Sequence, residues 1–529
     1  MRRRNATAHT SQQPTTRWRP GRRSGATLAV VGVLGAVAAG GATAGATTVL
    51  TSWTVYHGTP SGSGVGTAVA SVNTGSRAWT SPVLSGQLYG EPLVSNGKIY
   101  VATEANRVYE LSPATGKILW SRRIATPVPA SALPCGDIAP TVGITGTPVI
   151  DATRHEIFVV ADEWVHRHPE HVLVGLNTSN GKIRMVRAVD PRGQNPALLL
   201  QRTGLNLDAG QVVFGFGGND GDCGNYRGRV VTVRETGGTP RIFTIDAGAG
   251  EREGAIWMGG AAPEVDAKGH IWVGVGNGSV TSSHRTFDHS DAVLEFTSGL
   301  HLTQYFAPGT WPQDNASDLD LSTAPALLAD GKVVAAGKSR TAYLLNATHL
   351  GGINHQQATL PGLCGSIIAG GDAVVGTTVY LPCLSGPVAL RVTTSPASLQ
   401  VRWRAHVGGG PPIVVANRVW TIGQDGMLYG LDPTSGAVRQ QAAIGAVANH
   451  FPTPSAGVGL LLAPAANRVV AFRAAPTGSA RLHGAGLAPV FGSDGAGPWA
   501  AGAGALAAAF ALAGLGRSSR RRRSARLGD

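Results

Sequence analysis

A short phrase recurs along this chain and restricts its fold more than any single motif does: an apolar strand, a turn, a second strand closing on a Thr/Ser-x-Gly turn, and a third strand. Clear copies are Gly97-Lys98-Ile99-Tyr100-Val101 leading to Leu111-Ser112-Pro113-Ala114-Thr115-Gly116-Lys117-Ile118-Leu119-Trp120, then Val174-Gly175-Leu176-Asn177-Thr178-Ser179-Asn180-Gly181-Lys182-Ile183, and Leu428-Tyr429-Gly430-Leu431-Asp432-Pro433-Thr434-Ser435-Gly436-Ala437-Val438. A small antiparallel sheet of this kind cannot bury both faces alone, so the copies must pack face to face around an axis.

Counting the first apolar strand of each unit gives starts near Gly97, His155, Gly210, Gly269, Gly331, Thr377, Asn417 and Gly459. Their intervals, 40 to 62 residues, suit four short strands with variable loops. Between about 75 and 475 no stretch holds an apolar spacing of three and four, while Gly, Pro, Asn and Asp punctuate every β-rich run. The expected fold is all-β, an eight-bladed β-propeller over residues 76–475. Its closure should pair residues 76–83 with Arg468-Val469-Val470-Ala471-Phe472, because an edge strand left open is a liability.

The formal charge of +13 lies almost wholly in the two ends. Residues 1–23 contribute +7 and residues 517–529 contribute +5, leaving +1 for everything between. A phosphate-tracking surface therefore has no support, and no nucleic-acid partner is expected. Each basic tail (1–24 and 517–529) abuts an uncharged stretch, 25–50 and 495–516. The first is long enough to cross a bilayer and reads as a signal anchor or a signal peptide; the second reads as a transmembrane helix. With both tails on the cytoplasmic side, the propeller is expected outside the cell membrane. Gly- and Ser-rich residues 51–75 and residues 476–494 read as linkers.

Four cysteines in an exported chain suggest two disulfides, and we favour Cys135–Cys223 with Cys364–Cys383. Zinc is the rival reading, but no Cys-x-x-Cys or His-x3-His spacing accompanies them.

The phrases ending at Trp120 and around Asp432 resemble the tryptophan-docking repeats of the pyrroloquinoline-quinone (PQQ) propeller superfamily, in which an outer-strand Trp docks on the next blade. Met185 and Arg439 stand near the equivalent places in other blades. Further stretches resemble exported bacterial PQQ-like repeat proteins of poorly defined function: Leu133-Pro134-Cys135-Gly136-Asp137-Ile138, residues 143–151, Gly254-Ala255-Ile256-Trp257, Val275-Gly276-Asn277-Gly278, Asp318-Leu319-Asp320-Leu321 and residues 338–345.

The resemblance implies candidate residues for quinone chemistry. Asn277 resembles a calcium ligand of the PQQ alcohol dehydrogenases, and Asp318 or Asp320 falls where those enzymes place an acidic residue, as metal ligand or general base. Trp257 and Trp272 are aromatic candidates for stacking a sugar or a quinone near the axis. Departures are equally specific. No two cysteines are adjacent, the expected calcium glutamate position holds Cys223 beside Asp222, and no Cys-x-x-Cys-His attaches a haem.

Each candidate also has a structural reading, which we prefer. Asn277 serves a turn needing positive φ, Asp318 and Asp320 accept backbone hydrogen bonds, the tryptophans pack blades, and His166, His168 and His171 sit in a polar inter-strand loop. Gly215-Phe216-Gly217-Gly218 and Gly274-Val275-Gly276 read as turns, since neither opens a helix. The leading expectation is a membrane-tethered, non-catalytic binding or scaffold module with an envelope protein or glycan as partner. The alternative is a PQQ- and calcium-dependent dehydrogenase of alcohols or sugars.

Overall fold

Each marked turn proves to precede the second strand of its sheet. In the computed structural model, which describes residues 52–66, 69–245 and 248–476, blade 1 comprises Leu93–Ser95, Lys98–Thr103, Arg107–Leu111 and Ile118–Arg123. The first strand of a blade is only two or three residues long, too short for its own apolar pattern, so the eye catches the second. Tight hairpins join them, as at Asn96-Gly97 and Val458-Gly459, where both residues have positive φ.

Blade 2 comprises Val149–Asp151, Glu156–Val165, His168–Asn177 and Ile183–Ala188. Blade 3 is built on Asn206–Asp208, Gln211–Gly218, Arg229–Arg234 and Arg241–Thr244. Blade 4 is Glu264–Val265, Ile271–Gly274, Val293–Phe296 and Leu302–Ala307. Blade 5 is Ala326–Leu327, Lys332–Ala336, Ala342–Asn346 and Ala358–Leu360. Blade 6 is Ala373–Val375, Thr378–Leu381, Val388–Thr394 and Ala397–Arg404. Blade 7 is Ile413–Val415, Arg418–Ile422, Met427–Leu431 and Val438–Ala443. Blade 8 takes Ser455–Gly457, Leu460–Ala465 and Arg468–Pro476 from the end of the ring and Val69–Thr80 from its beginning. The eight sheets form the expected β-propeller.

Closure follows the sequence expectation, with Arg77 opposite Phe472, Trp79 opposite Ala471 and Thr80 opposite Val470. Outer-strand tryptophans then tie blade to blade. Trp79 donates to the carbonyl oxygen of Pro113, Trp120 to that of Thr178 and Trp403 to that of Pro433, at 2.7, 3.0 and 3.0 Å. Each indole lies over the glycine of the receiving turn, Gly116, Gly181 or Gly436, where a Cβ would come within 2.7 Å of the ring. That contact explains why the Thr/Ser-x-Gly phrase recurs.

The stretch read as a linker is different for residues 52–66, which run along the inner strands of successive blades. Trp53 bridges Val94 of blade 1. The carbonyl of Thr54 accepts from Ile150 of blade 2, that of Pro60 from Asn206 Nδ2 and Val265 N of blades 3 and 4, and that of Ser63 from Val374 of blade 6. Val65 and Gly66 pair in parallel with Val414 and Val415 of blade 7. Tyr56 and His57 are buried with rings stacked 4.3 Å apart, and burial pushes the His57 imidazole down to about 4. Glycine and serine here permit close approach to the inner strands rather than slack, and residues 69–75 belong to the outer strand of blade 8.

Two smaller readings also change. Gly215 through Gly218 lie in a strand, not a turn, with Ala255 and Ile256 packed on the backbone of Gly215 and Gly217. Asn277 does not have positive φ, whereas Asp318 does, at 52°. The helices expected at 25–50 and 495–516, the tails 1–24 and 517–529, and all but the first residue of linker 476–494 lie outside the described residues. Among the described residues no helix is long and apolar enough to cross a membrane.

Candidate functional site

The segments that lead into the inner strands and the hairpins joining second and third strands converge on one face of the ring. They enclose a cavity of about 470 Å³, within the usual range of small-ligand sites. Trp257, Asn277, Asp318 and Asp320, single candidates from three separate stretches of sequence, all line it. Trp272 does not; it is buried in blade 4 and its indole N–H is directed to Asp266.

Asp320 is buried, with donors on both oxygens. Its Oδ1 accepts the backbone N–H of Asn277 at 2.6 Å, and its Oδ2 accepts the indole N–H of Trp257 at 3.1 Å. The Lys338 ammonium reaches the same Oδ2 at 2.8 Å and spans to Asp318 Oδ1 at 2.5 Å. Burial alone would lower the Lys338 pKa; the Asp320 and Asp318 carboxylates override it and raise the ammonium above its ordinary value. Lys338 also sits 5.5 Å from the centre of the Trp257 ring, a cation–π contact.

The opposite wall is aromatic and cationic. Arg202 is 8% exposed, with its guanidinium 5.8 Å from the Tyr89 ring centre and 5.9 Å from that of Phe451. Phe451 in turn lies 5.8 Å from Trp257. Among the described residues the Arg202 guanidinium has neither a hydrogen bond nor an ion pair. Asp137, Asp220, Asp222 and Asp318 line the cavity and are exposed, so they mark its mouth.

Disulfides brace this face. Cys135 is bonded to Cys223, which ties the loop after blade 1 to the hairpin of blade 3, and Cys364 is bonded to Cys383; this is the connectivity favoured from sequence. Asp222, beside Cys223, accepts the Tyr226 hydroxyl on its Oδ1 at 2.6 Å. The histidine cluster does not assemble. His166 and His168 are exposed at a hairpin tip, while His171 is buried between Asp190 at 2.6 Å and Asp162 at 3.3 Å.

The donor set does not fit a hard divalent cation. Such an ion needs six to eight oxygens with carboxylates free to turn toward it. Both Asp320 oxygens have protein donors, the Lys338 ammonium bridges Asp318 and Asp320 and offsets one of their two charges, and Asp222 accepts from Tyr226. The one group of three His and acidic side chains with metal-like spacing among the described residues is Asp266, His270 and Glu295, none of which lines this cavity.

Residues 18–242 match the family model described as outer membrane protein assembly factor BamB. Among solved structures the chain is similar to the quinohemoprotein alcohol dehydrogenase ADHIIG from Pseudomonas putida HK5, at 13% identity and TM-score 0.59 over 80% of each chain. It is also similar to quinohemoprotein alcohol dehydrogenase from Comamonas testosteroni, at 14% identity and TM-score 0.58 over 81% of each. A europium-containing methanol dehydrogenase gives 13% identity and TM-score 0.57, over 80% of this chain and 98% of that one. No curated protein matches the sequence. In fold, the chain is an eight-bladed β-propeller similar to those of these dehydrogenases. At these identities the likeness extends to the fold alone.

Sequence reasoning missed Arg202, Tyr89 and Phe451. They come from connecting segments of different blades, with no shared local motif. The cue available was position, since each stands a few residues ahead of an inner strand.

Proposed function

We propose that this chain is a membrane-tethered, extracytoplasmic propeller that acts as a binding module, using the cavity on its loop face, and that it does not oxidise substrates through a quinone. The observation that carries this reading is the Lys338 clamp on Asp318 and Asp320. A general base must have a lone pair aimed at the substrate proton, and a metal ligand one aimed at the metal. Asp320 has donors on both oxygens, one of them the Lys338 ammonium.

The charge layout supports tethering, since basic ends of +7 and +5 flank uncharged stretches on both sides of a nearly neutral propeller. Two disulfides suit an oxidising compartment. The match to an outer membrane protein assembly factor supports a protein of the envelope as partner.

The second reading, a PQQ- and calcium-dependent dehydrogenase, draws on one observation: Trp257, Asn277, Asp318 and Asp320 share a cavity. The test is reconstitution of the full chain in detergent with PQQ and calcium, followed by desalting and dye reduction with alcohols and aldoses. The expected result is no retained quinone absorbance and no turnover. Turnover lost on Asp320→Asn or Asp318→Asn would establish the dehydrogenase instead.

A further inference from the structure

We infer that the cavity receives a zwitterionic ligand: a free carboxylate that pairs with Arg202 at the floor, on a molecule whose cationic side chain faces the aspartates of the mouth. The inference rests on the proposed binding role and names the ligand chemistry.

An isolated charge held away from water is costly, and buried guanidinium groups normally have a carboxylate partner. Arg202 is more than nine-tenths buried, lines the cavity and has no such partner among the described residues. Glu104 and Asp137 both lie close enough to act on the Arg202 charge, but neither forms an ion pair with it among the described residues, and burial raises Glu104 to about 8. The Tyr89 and Phe451 rings stack near the guanidinium without supplying an anion. A ligand carboxylate meets the fork of donors that arginine presents.

The mouth has the opposite character. Asp222 is engaged by Tyr226 and Asp318 by Lys338, whereas Asp137 and Asp220 have no hydrogen bond or ion pair among the described residues. A ligand bearing only negative charge crosses an acidic rim to reach the floor, and a doubly charged phosphate is repelled more than a carboxylate. A positive group on the same molecule turns that rim into an attraction. The Trp257 and Phe451 rings, in contact at 5.8 Å, together form an apolar stretch of the cavity wall that suits an aliphatic stem. A basic residue with a free α-carboxylate has this chemistry, whether as the C-terminus of a polypeptide or as a free amino acid.

The test is calorimetric titration of the full chain in detergent with four probes: an N-acetylated tripeptide ending in lysine with a free carboxylate, its C-terminal amide, the free acid ending in norleucine, and free lysine. The lysine-terminated acid should bind at least tenfold more tightly than the amide and severalfold more tightly than the norleucine peptide. Arg202→Gln should erase the distinction between acid and amide. Asp220→Asn, at an exposed position that leaves the fold untouched, should narrow the distinction between lysine and norleucine. Free lysine binding as well as the peptide places the source in free amino acids; weaker binding places it in chain termini. Equal binding of acid and amide, or no binding of any probe to wild-type chain with native circular dichroism, overturns the inference. Retention of quinone with dye reduction would instead remove the binding-module reading, so the two failures are distinct.

Discussion

The indole N–H of Trp79 donates to the carbonyl oxygen of Pro113 at 2.7 Å, and this contact joins the last blade to the first. Trp79 is 8% exposed and belongs to the outer strand of blade 8. Losing it removes both the buried ring and the hydrogen bond that latches the closure. Trp79→Ala should therefore cost about 3–5 kcal/mol, as large-to-small changes of buried aromatics do. Urea unfolding of the full chain measures it, and Trp79→Phe should cost less because it keeps most of the apolar contact.

Much of this architecture is legible in the sequence because hairpin turns and docking turns carry local signals. Trp120 stands out, since Thr115-Gly116-Lys117-Ile118-Leu119 sets up the strand that holds it. Trp403 makes the same contact from a strand whose approach lacks such a Thr-Gly pair, and Trp79, which follows Thr74-Gly75 at the same spacing as Trp120 follows Thr115-Gly116, adjoins the stretch that reads as linker; both contacts become visible once the partners Gly436 and Gly116 are in place. The axial segment is hidden for a different reason. Its glycines and serines give the composition of a tether, and only the fold reveals that their small size is used against inner strands. In the site, Asn277 and Asp320 are legible from short stretches, but the lysine that occupies Asp320 stands 18 positions on, across a strand hairpin.

The axial segment gives a sharp test at Gly62. Its φ is +61°, and a Cβ there would stand 2.3 Å from Glu264 Oε1. Gly62→Ala combines left-handed strain with a clash against a buried side chain and should destabilise by about 1–3 kcal/mol. Gly193, at φ +76° with nothing near its Cβ, is the control for strain alone. A chain beginning at Val69 lacks the whole segment but keeps the outer strand of blade 8, and it should be markedly less stable than the full chain.

Stability should fall with rising pH on account of Glu104. Burial raises its carboxyl from 4.5 to about 8, despite hydrogen bonds from Gly143 N and Thr145 Oγ1 that favour the anion. The unfolded chain ionises first, so the stabilising effect is complete below about 4.5 and is lost as pH climbs to 8. Glu104→Gln should flatten the thermal midpoint over that window. His171 acts in the next window up. Burial would lower it, but the charge of Asp162, with help from Asp190, raises it to about 10, so its contribution is present below 6.5 and lost toward 10. His171→Gln should remove that alkaline fall.

The two disulfides should differ in weight. Cys135 and Cys223 are 88 positions apart and Cys364 and Cys383 only 19. On chain entropy the longer loop stabilises more, by about 1 kcal/mol, within the usual range of about 2–5 kcal/mol for losing a native bridge. Paired Cys→Ser variants compared by denaturation measure the difference. Only loss of the first should also weaken ligand binding, because Asp137 and Asp222 stand near its ends at the cavity mouth.

The claim that Asp320 is already occupied can be read directly with terbium, a luminescent stand-in for calcium and for the lanthanide of the europium-containing methanol dehydrogenase. An ion bound at Asp320 would lie beside the Trp257 indole, which donates to the same carboxylate at 3.1 Å, and would be excited through it. Terbium should give the full chain no saturable tryptophan-sensitised emission that depends on Trp257. Saturable emission abolished by both Trp257→Phe and Asp320→Asn would contradict the account.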